Sequence, residues 1–209
     1  MKALKYIIII IGIGVFSQAH AQMPQFGIKA GLNLSNMSVD GADDSNILPG
    51  FHVGAFTNVP IGTSAFSVQP ELLYSTKGMK AEYTGIVTGE TTYRLNYIDI
   101  PVYLVYNLAR DFNFHAGPYV GFLLNANTET DAEVLDFLEV TNQDDLDKEY
   151  FNGTTVGLSA GLGFSLMKFD LGFNYNFGFI PVADEEKALE PLLGDAKNNV
   201  IQLYIGYRF

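Results

Sequence analysis

Between Phe169 and Phe179 the chain alternates without a fault. Phe169, Leu171, Phe173, Tyr175, Phe177 and Phe179 are apolar, and Asp170, Gly172, Asn174, Asn176 and Gly178 separate them. A helix, with its repeat of about 3.6 residues, would scatter this set around its circumference, whereas a strand gathers it on one side. Seven further segments repeat the pattern less strictly. They are FGIKAGLNLS from Phe26, FHVGAFTNVP from Phe51, AFSVQPELLYSTKG from Ala65, LNYIDIPVYLVY from Leu95, FNFHAGPYVGFLLNAN from Phe112, GTTVGLSAGLGFSL from Gly153 and the closing VIQLYIGYRF from Val200. Eight strands are therefore expected.

The connections between them alternate in length. Pro60 to Ser64, Asn107 to Asp111 and Met167-Lys168 are short, while Asn36 to Gly50, Met79 to Tyr93, Thr128 to Asn152 and Pro181 to Asn199 are long. In an antiparallel array this puts every long connection at one end and both termini at the other. A membrane-spanning barrel is built on that plan, with short periplasmic turns and longer extracellular loops. A soluble barrel would also alternate, so the two faces must decide. The polar face carries few ionisable groups, chiefly Lys29, His52, Glu71, Lys77, Asp99, His115, Asp170 and Arg208, and is rich in Gly and Asn. That suits a cramped interior better than a water-exposed outside. The apolar face gathers aromatics at both ends. Phe26, Phe66, Tyr106, Phe112, Phe164, Phe169, Tyr207 and Phe209 lie toward the short turns, and Phe51, Tyr74, Phe122 and Phe179 toward the long loops. Two aromatic girdles around an aliphatic band mark two membrane interfaces.

The expected fold is thus all-β: an eight-stranded antiparallel up-and-down transmembrane β-barrel with four long extracellular loops and three short periplasmic turns. Residues 200–209 close it against 26–35, because an open sheet edge in hydrocarbon leaves backbone groups unsatisfied. Ile201, Leu203, Ile205, Tyr207 and Phe209 form the apolar face of that terminal strand.

The first residues, MKALKYIIIIIGIGVFSQAHAQ, combine Lys2 and Lys5, an apolar run from Tyr6 to Phe16, and Ala19-His20-Ala21. That order reads as an export signal over residues 1–21, leaving 22–209 as the barrel domain. Loss of the two lysines moves the formal charge from −11 to −13. So acidic a chain excludes nucleic-acid binding. With no Cys, disulfides are excluded too, and no cofactor or metal site is expected.

The stretches VQPELLYSTKG (68–78), LNYIDIPVYLVY (95–106), FHAGPYVGFLL (114–124) and GLSAGLGF (157–164) resemble the porin-family, PorT-like outer-membrane β-barrel proteins of Gram-negative bacteria. Asp99 stands in YIDIP where Glu is common in the family, which keeps the negative charge. The resemblance implies the outer membrane as location, with lipid and lipopolysaccharide as neighbours. It also implies recognition of the aromatic carboxyl terminus by the barrel-assembly machinery. It assigns no reaction, although one branch of the family works in protein secretion.

The ionisable lumen residues Lys29, Glu71, Lys77, Asp99, Asp170 and Arg208 form the main candidate site. They read as a charge-paired plug, since buried charges must pair and an interior of this size is filled by side chains. In the alternative, Lys29, Glu71, Asp99 and Arg208 line an ion or small-solute path. The third long connection, TETDAEVLDFLEVTNQDDLDKEY, holds nine acids against one Lys. Its Asp144, Asp145, Asp147 and Glu149 are a weak candidate for cation binding, lacking the spacing of an EF-hand loop. Val134, Leu135, Phe137, Leu138 and Val140 suggest a short helix over the barrel mouth. His52 and His115 fall toward opposite ends of the lumen, so no catalytic site is assigned. The expected role is non-catalytic: structural support or surface recognition of an unknown protein partner through acidic loops. A channel or an accessory role in secretion is the alternative.

Overall fold

The computed structural model describes residues 23–38, 45–83, 87–109, 111–134, 138–146, 151–182 and 196–209. Among these described residues there are ten strands: β1 (Gln25–Ser38), β2 (Ser45–Asn46), β3 (Leu48–Pro60), β4 (Phe66–Tyr83), β5 (Val87–Asn107), β6 (Phe112–Val134), β7 (Leu138–Leu146), β8 (Thr154–Leu166), β9 (Phe169–Pro181) and β10 (Lys197–Arg208). Eight of them form the wall. β1 pairs with β3, β3 with β4, β4 with β5, β5 with β6, β6 with β8, β8 with β9 and β9 with β10, all antiparallel. β10 then returns to β1 in unbroken register from Gly27↔Arg208 to Ser38↔Lys197. The last amide is also used: Phe209 N donates to the Phe26 carbonyl at 3.0 Å. The ring closes without a free edge in the wall.

The turns at the terminal end are tight. Ile61 N donates to Phe66 O (2.9 Å) and Leu108 N to Phe112 O (3.0 Å), while Met167-Lys168 alone joins β8 to β9. At the other end, much of what the sequence presents as long loop is strand. β4, β5 and β6 run for 18, 21 and 23 residues. Their ladders continue through Tyr83↔Gly89 and Val87↔Val134. The Thr, Tyr and Val content of these stretches favours extended backbone, and continued pairing satisfies each added peptide group. The expected short helix is corrected in the same way. Residues 138–146 form β7, paired with β6 from Val134↔Leu138 to Ala126↔Leu146, while 135–137 lie outside the described residues. Extending an existing ladder avoids the cost of nucleating a separate helical turn.

The outer face is the apolar one. Phe169, Leu171, Phe173, Tyr175, Phe177 and Phe179 on β9, Leu203 and Ile205 on β10 and Phe209 just after it are exposed, as are Leu158, Leu162, Phe164 and Leu166 on β8. Aromatic contacts sit at both ends of this belt. Phe66–Tyr106 (4.9 Å between centroids), Phe169–Tyr207 (5.3 Å) and Tyr207–Phe209 (5.7 Å) lie by the short turns, and Phe51–Tyr74 (5.8 Å) by the long connections.

Candidate functional site: the barrel lumen

Because strand neighbours alternate sides, the polar residues between the belt positions all project inward. The six charged residues singled out in the sequence meet there as three ion pairs. Lys29 Nζ lies 2.5 Å from Glu71 Oε1, Lys77 Nζ 2.7 Å from Asp99 Oδ2, and Arg208 Nε 3.0 Å from Asp170 Oδ2. The first two pairs are almost fully buried, and the third sits half-buried at the short-turn rim. Lys29 and Arg208, although on adjoining strands, have separate partners. Register explains this, since Arg208 opposes Gly27 and Lys29 opposes Gly206.

Each buried lysine is also held by rings. Lys29 Nζ stands 4.0 Å from the Tyr204 ring centroid, and Lys77 Nζ 5.0 Å from Tyr97 and 5.1 Å from Tyr119. Gln69 Nε2 donates to the same Glu71 oxygen at 2.8 Å. A charge bound on several sides by an ion pair, an amide and π faces is fixed in place.

Between the pairs runs a chain of amides that the charge pattern did not reveal. His52 Nδ1 donates to Asn33 Oδ1 (2.7 Å), which also accepts from Gln202 Nε2 (3.1 Å). Asn174 Nδ2 reaches Gln202 Oε1 (3.4 Å), and His115 Nε2 donates to Asn174 Oδ1 (2.6 Å). The two histidines are therefore not in contact, yet they share one network through Asn33, Gln202 and Asn174. Their ring nitrogens contact amides, not hydroxyls. Ser75 Oγ is one step removed, accepting from Asn33 Nδ2 at 3.0 Å. Alternating Asn on β9 was the visible trace of this network, but Gln202 and Asn33 carry no signal until strand closure places them side by side.

Above Lys77 the lumen turns apolar. Met79, Tyr93, Leu95, Tyr97, Ala126, Phe151, Val182 and Ala196 form one buried cluster. Backbone bonds Asn152 N to Val182 O (2.9 Å) and Val182 N to Ala196 O (2.8 Å) tie its upper members together. Near the centre of the barrel, between Asp99, Tyr119 and Gln202, a void of about 10 Å³ remains. That is at most one water. At the short-turn end a polar vestibule of about 220 Å³ opens, lined among others by Lys29, His115, Asp170, Tyr204 and Arg208.

Asp144 and Asp145 lie on β7, in register with Thr128 and Asn127, while Asp147 and Glu149 lie outside the described residues. The export signal over 1–21 also lies outside them. Among the described residues no cluster of three or more His, Asp or Glu is placed to hold a metal ion.

A closed antiparallel ring, apolar outside and polar within, is a membrane-spanning β-barrel. The chain belongs to the outer membrane protein beta-barrel domain family, whose model matches residues 16–184. Among solved structures, neisserial surface protein A (NspA) is 10% identical with a TM-score of 0.51, covering 90% of this chain and 100% of its own. The attachment invasion locus protein Ail of Yersinia pestis, crystallised with the heparin analogue sucrose octasulfate, is 15% identical with a TM-score of 0.49 and the same coverage. At such identities the likeness to NspA is one of fold. Comparison with curated proteins returned no match.

Proposed function

We propose that the chain is exported by the signal at 1–21 and acts in the outer membrane as a non-catalytic barrel with a closed lumen. Its role is structural, or one of surface recognition by the acidic strands and loops beyond the outer leaflet. One observation carries the closed-lumen reading: the six charged residues singled out in the lumen are mutually neutralised in three ion pairs. An open ionic path needs charges left for the permeating ion, and here each has a protein partner. Eight-stranded barrels have an interior just wide enough for side chains to fill. Lipopolysaccharide and lipid are the proposed surroundings of the belt, and the assembly machinery the proposed reader of the terminal strand.

Conductance of the refolded barrel in a planar bilayer tests this. The wild type is expected to be silent, and a folded Glu71→Ala/Asp99→Ala variant to open, because Lys29 and Lys77 lose their counter-charges. Discrete openings of the wild type would overturn the closed lumen in favour of a channel.

A further inference from the structure

We infer that the vestibule at the short-turn end is a binding pocket for a small, neutral, polyhydroxylated molecule of monosaccharide size, taken from the periplasmic side. The vestibule opens at the short-turn end of the lumen. Among the described residues, the Lys77–Asp99 pair and the apolar cluster pack the lumen above it, and the void between Asp99, Tyr119 and Gln202 holds at most one water. The vestibule below, at about 220 Å³, lies under the range of about 300–1,000 Å³ typical of drug-sized ligands.

Charge selects against ions. The two pairs that reach this space, Lys29–Glu71 and Arg208–Asp170, sum to zero. What they leave is a set of carboxamides, each half-used. Asn58 Nδ2 is engaged by Ser67 Oγ and Gln69 Oε1, both at 3.0 Å, which leaves Asn58 Oδ1 as an acceptor. Arg208 donates to Gln25 Oε1 at 3.1 Å, leaving Gln25 Nε2 as a donor. Asn107 Nδ2 donates to Ala65 O at 3.2 Å, leaving Asn107 Oδ1 as an acceptor. Donors and acceptors around one cavity, each fixed by a bond on its other atom, suit hydroxyl groups, which do both. The inward ring of Phe56 lines the same space and offers a surface to the C–H face of a sugar ring. Such preorganised amides lose little freedom on binding.

The inference rests on the closed-lumen reading, and the two fail in different measurements: that reading in conductance, this one in ligand titration. The probe is N-acetylglucosamine, neutral and rich in hydroxyls, titrated into the refolded full chain in nanodiscs and followed by amide NMR shifts. Glucosamine and glucose 6-phosphate serve as charged counterparts. Saturable shifts are expected at Tyr204, Gly163 and Asn107, weaker with either charged probe. Asn58→Leu should weaken binding about tenfold, the worth of one or two hydrogen bonds. Asn125→Ala, on the outer wall at the far end, should change nothing. Absence of saturation, equal shifts in a folded Asn58→Leu variant, or tighter binding of a charged probe would each overturn the assignment.

Discussion

Asp99 shows what a single lumen residue contributes. Its carboxylate takes Lys77 at 2.7 and 2.8 Å on its two oxygens, and both side chains are almost wholly out of water. Removing one partner of such a pair leaves the other charge buried and uncompensated, a loss of about 3–5 kcal/mol. Asp99→Ala should therefore lower stability by about that amount in urea unfolding from micelles, and Lys77→Met in the same background should recover much of it. A loss under about 1 kcal/mol for Asp99→Ala would mean that the site is hydrated. The charged partners were legible from the sequence because an ionisable residue on a membrane strand has few places to go. Their pairing was not, since it depends on register across strands. The amide chain was less legible still: Asn33 and Gln202 are 169 residues apart, and an isolated Asn or Gln marks no face.

At the level of elements, strand period carried the eight wall strands, but the apolar cluster inside the lumen was hidden. β5 presents Leu95, Tyr97, Tyr103 and Val105 inward and Val102, Leu104 and Tyr106 outward. Apolar on both faces, it offers no alternation from which to tell lumen from lipid. Its extension with β4 and β6 carries no strand signal, because the Gly, Glu and Thr there are equally suited to a connection. The β8–β9 hairpin offers a test of element geometry. Its two-residue turn places Met167 at φ 53°, a left-handed conformation that a Cβ disfavours by about 1–2 kcal/mol. Two-residue hairpins of this form prefer Gly at the first central position. Met167 is 84% exposed, so its loss uncovers little. Met167→Gly should raise the stability of the barrel by about 1 kcal/mol. A destabilised variant would show that the Met side chain, in the membrane interface, contributes more than the turn strain takes away.

For the whole molecule, the decisive property is which face meets hydrocarbon, and this was the most legible of all. Twofold alternation, aromatic girdles and closure agree because they follow from one requirement, that no backbone group be left unpaired in lipid. Depth in the belt then becomes measurable. Ile205 is 50% exposed, in register with Ala30 on one side and Leu171 on the other, in the middle of the apolar band. Leu166 is 52% exposed but stands at the foot of β8, beside the Met167 turn. Their equal exposure removes burial as a variable. If the surroundings were water, Arg at either position would cost little and equally. In a bilayer, Ile205→Arg should cost about 2–4 kcal/mol and Leu166→Arg about 0–1, because an arginine near the interface reaches the headgroups. Reversible unfolding from lipid vesicles measures both. Equal costs would place the belt at another height on the barrel, and with it the boundary between the vestibule and the membrane.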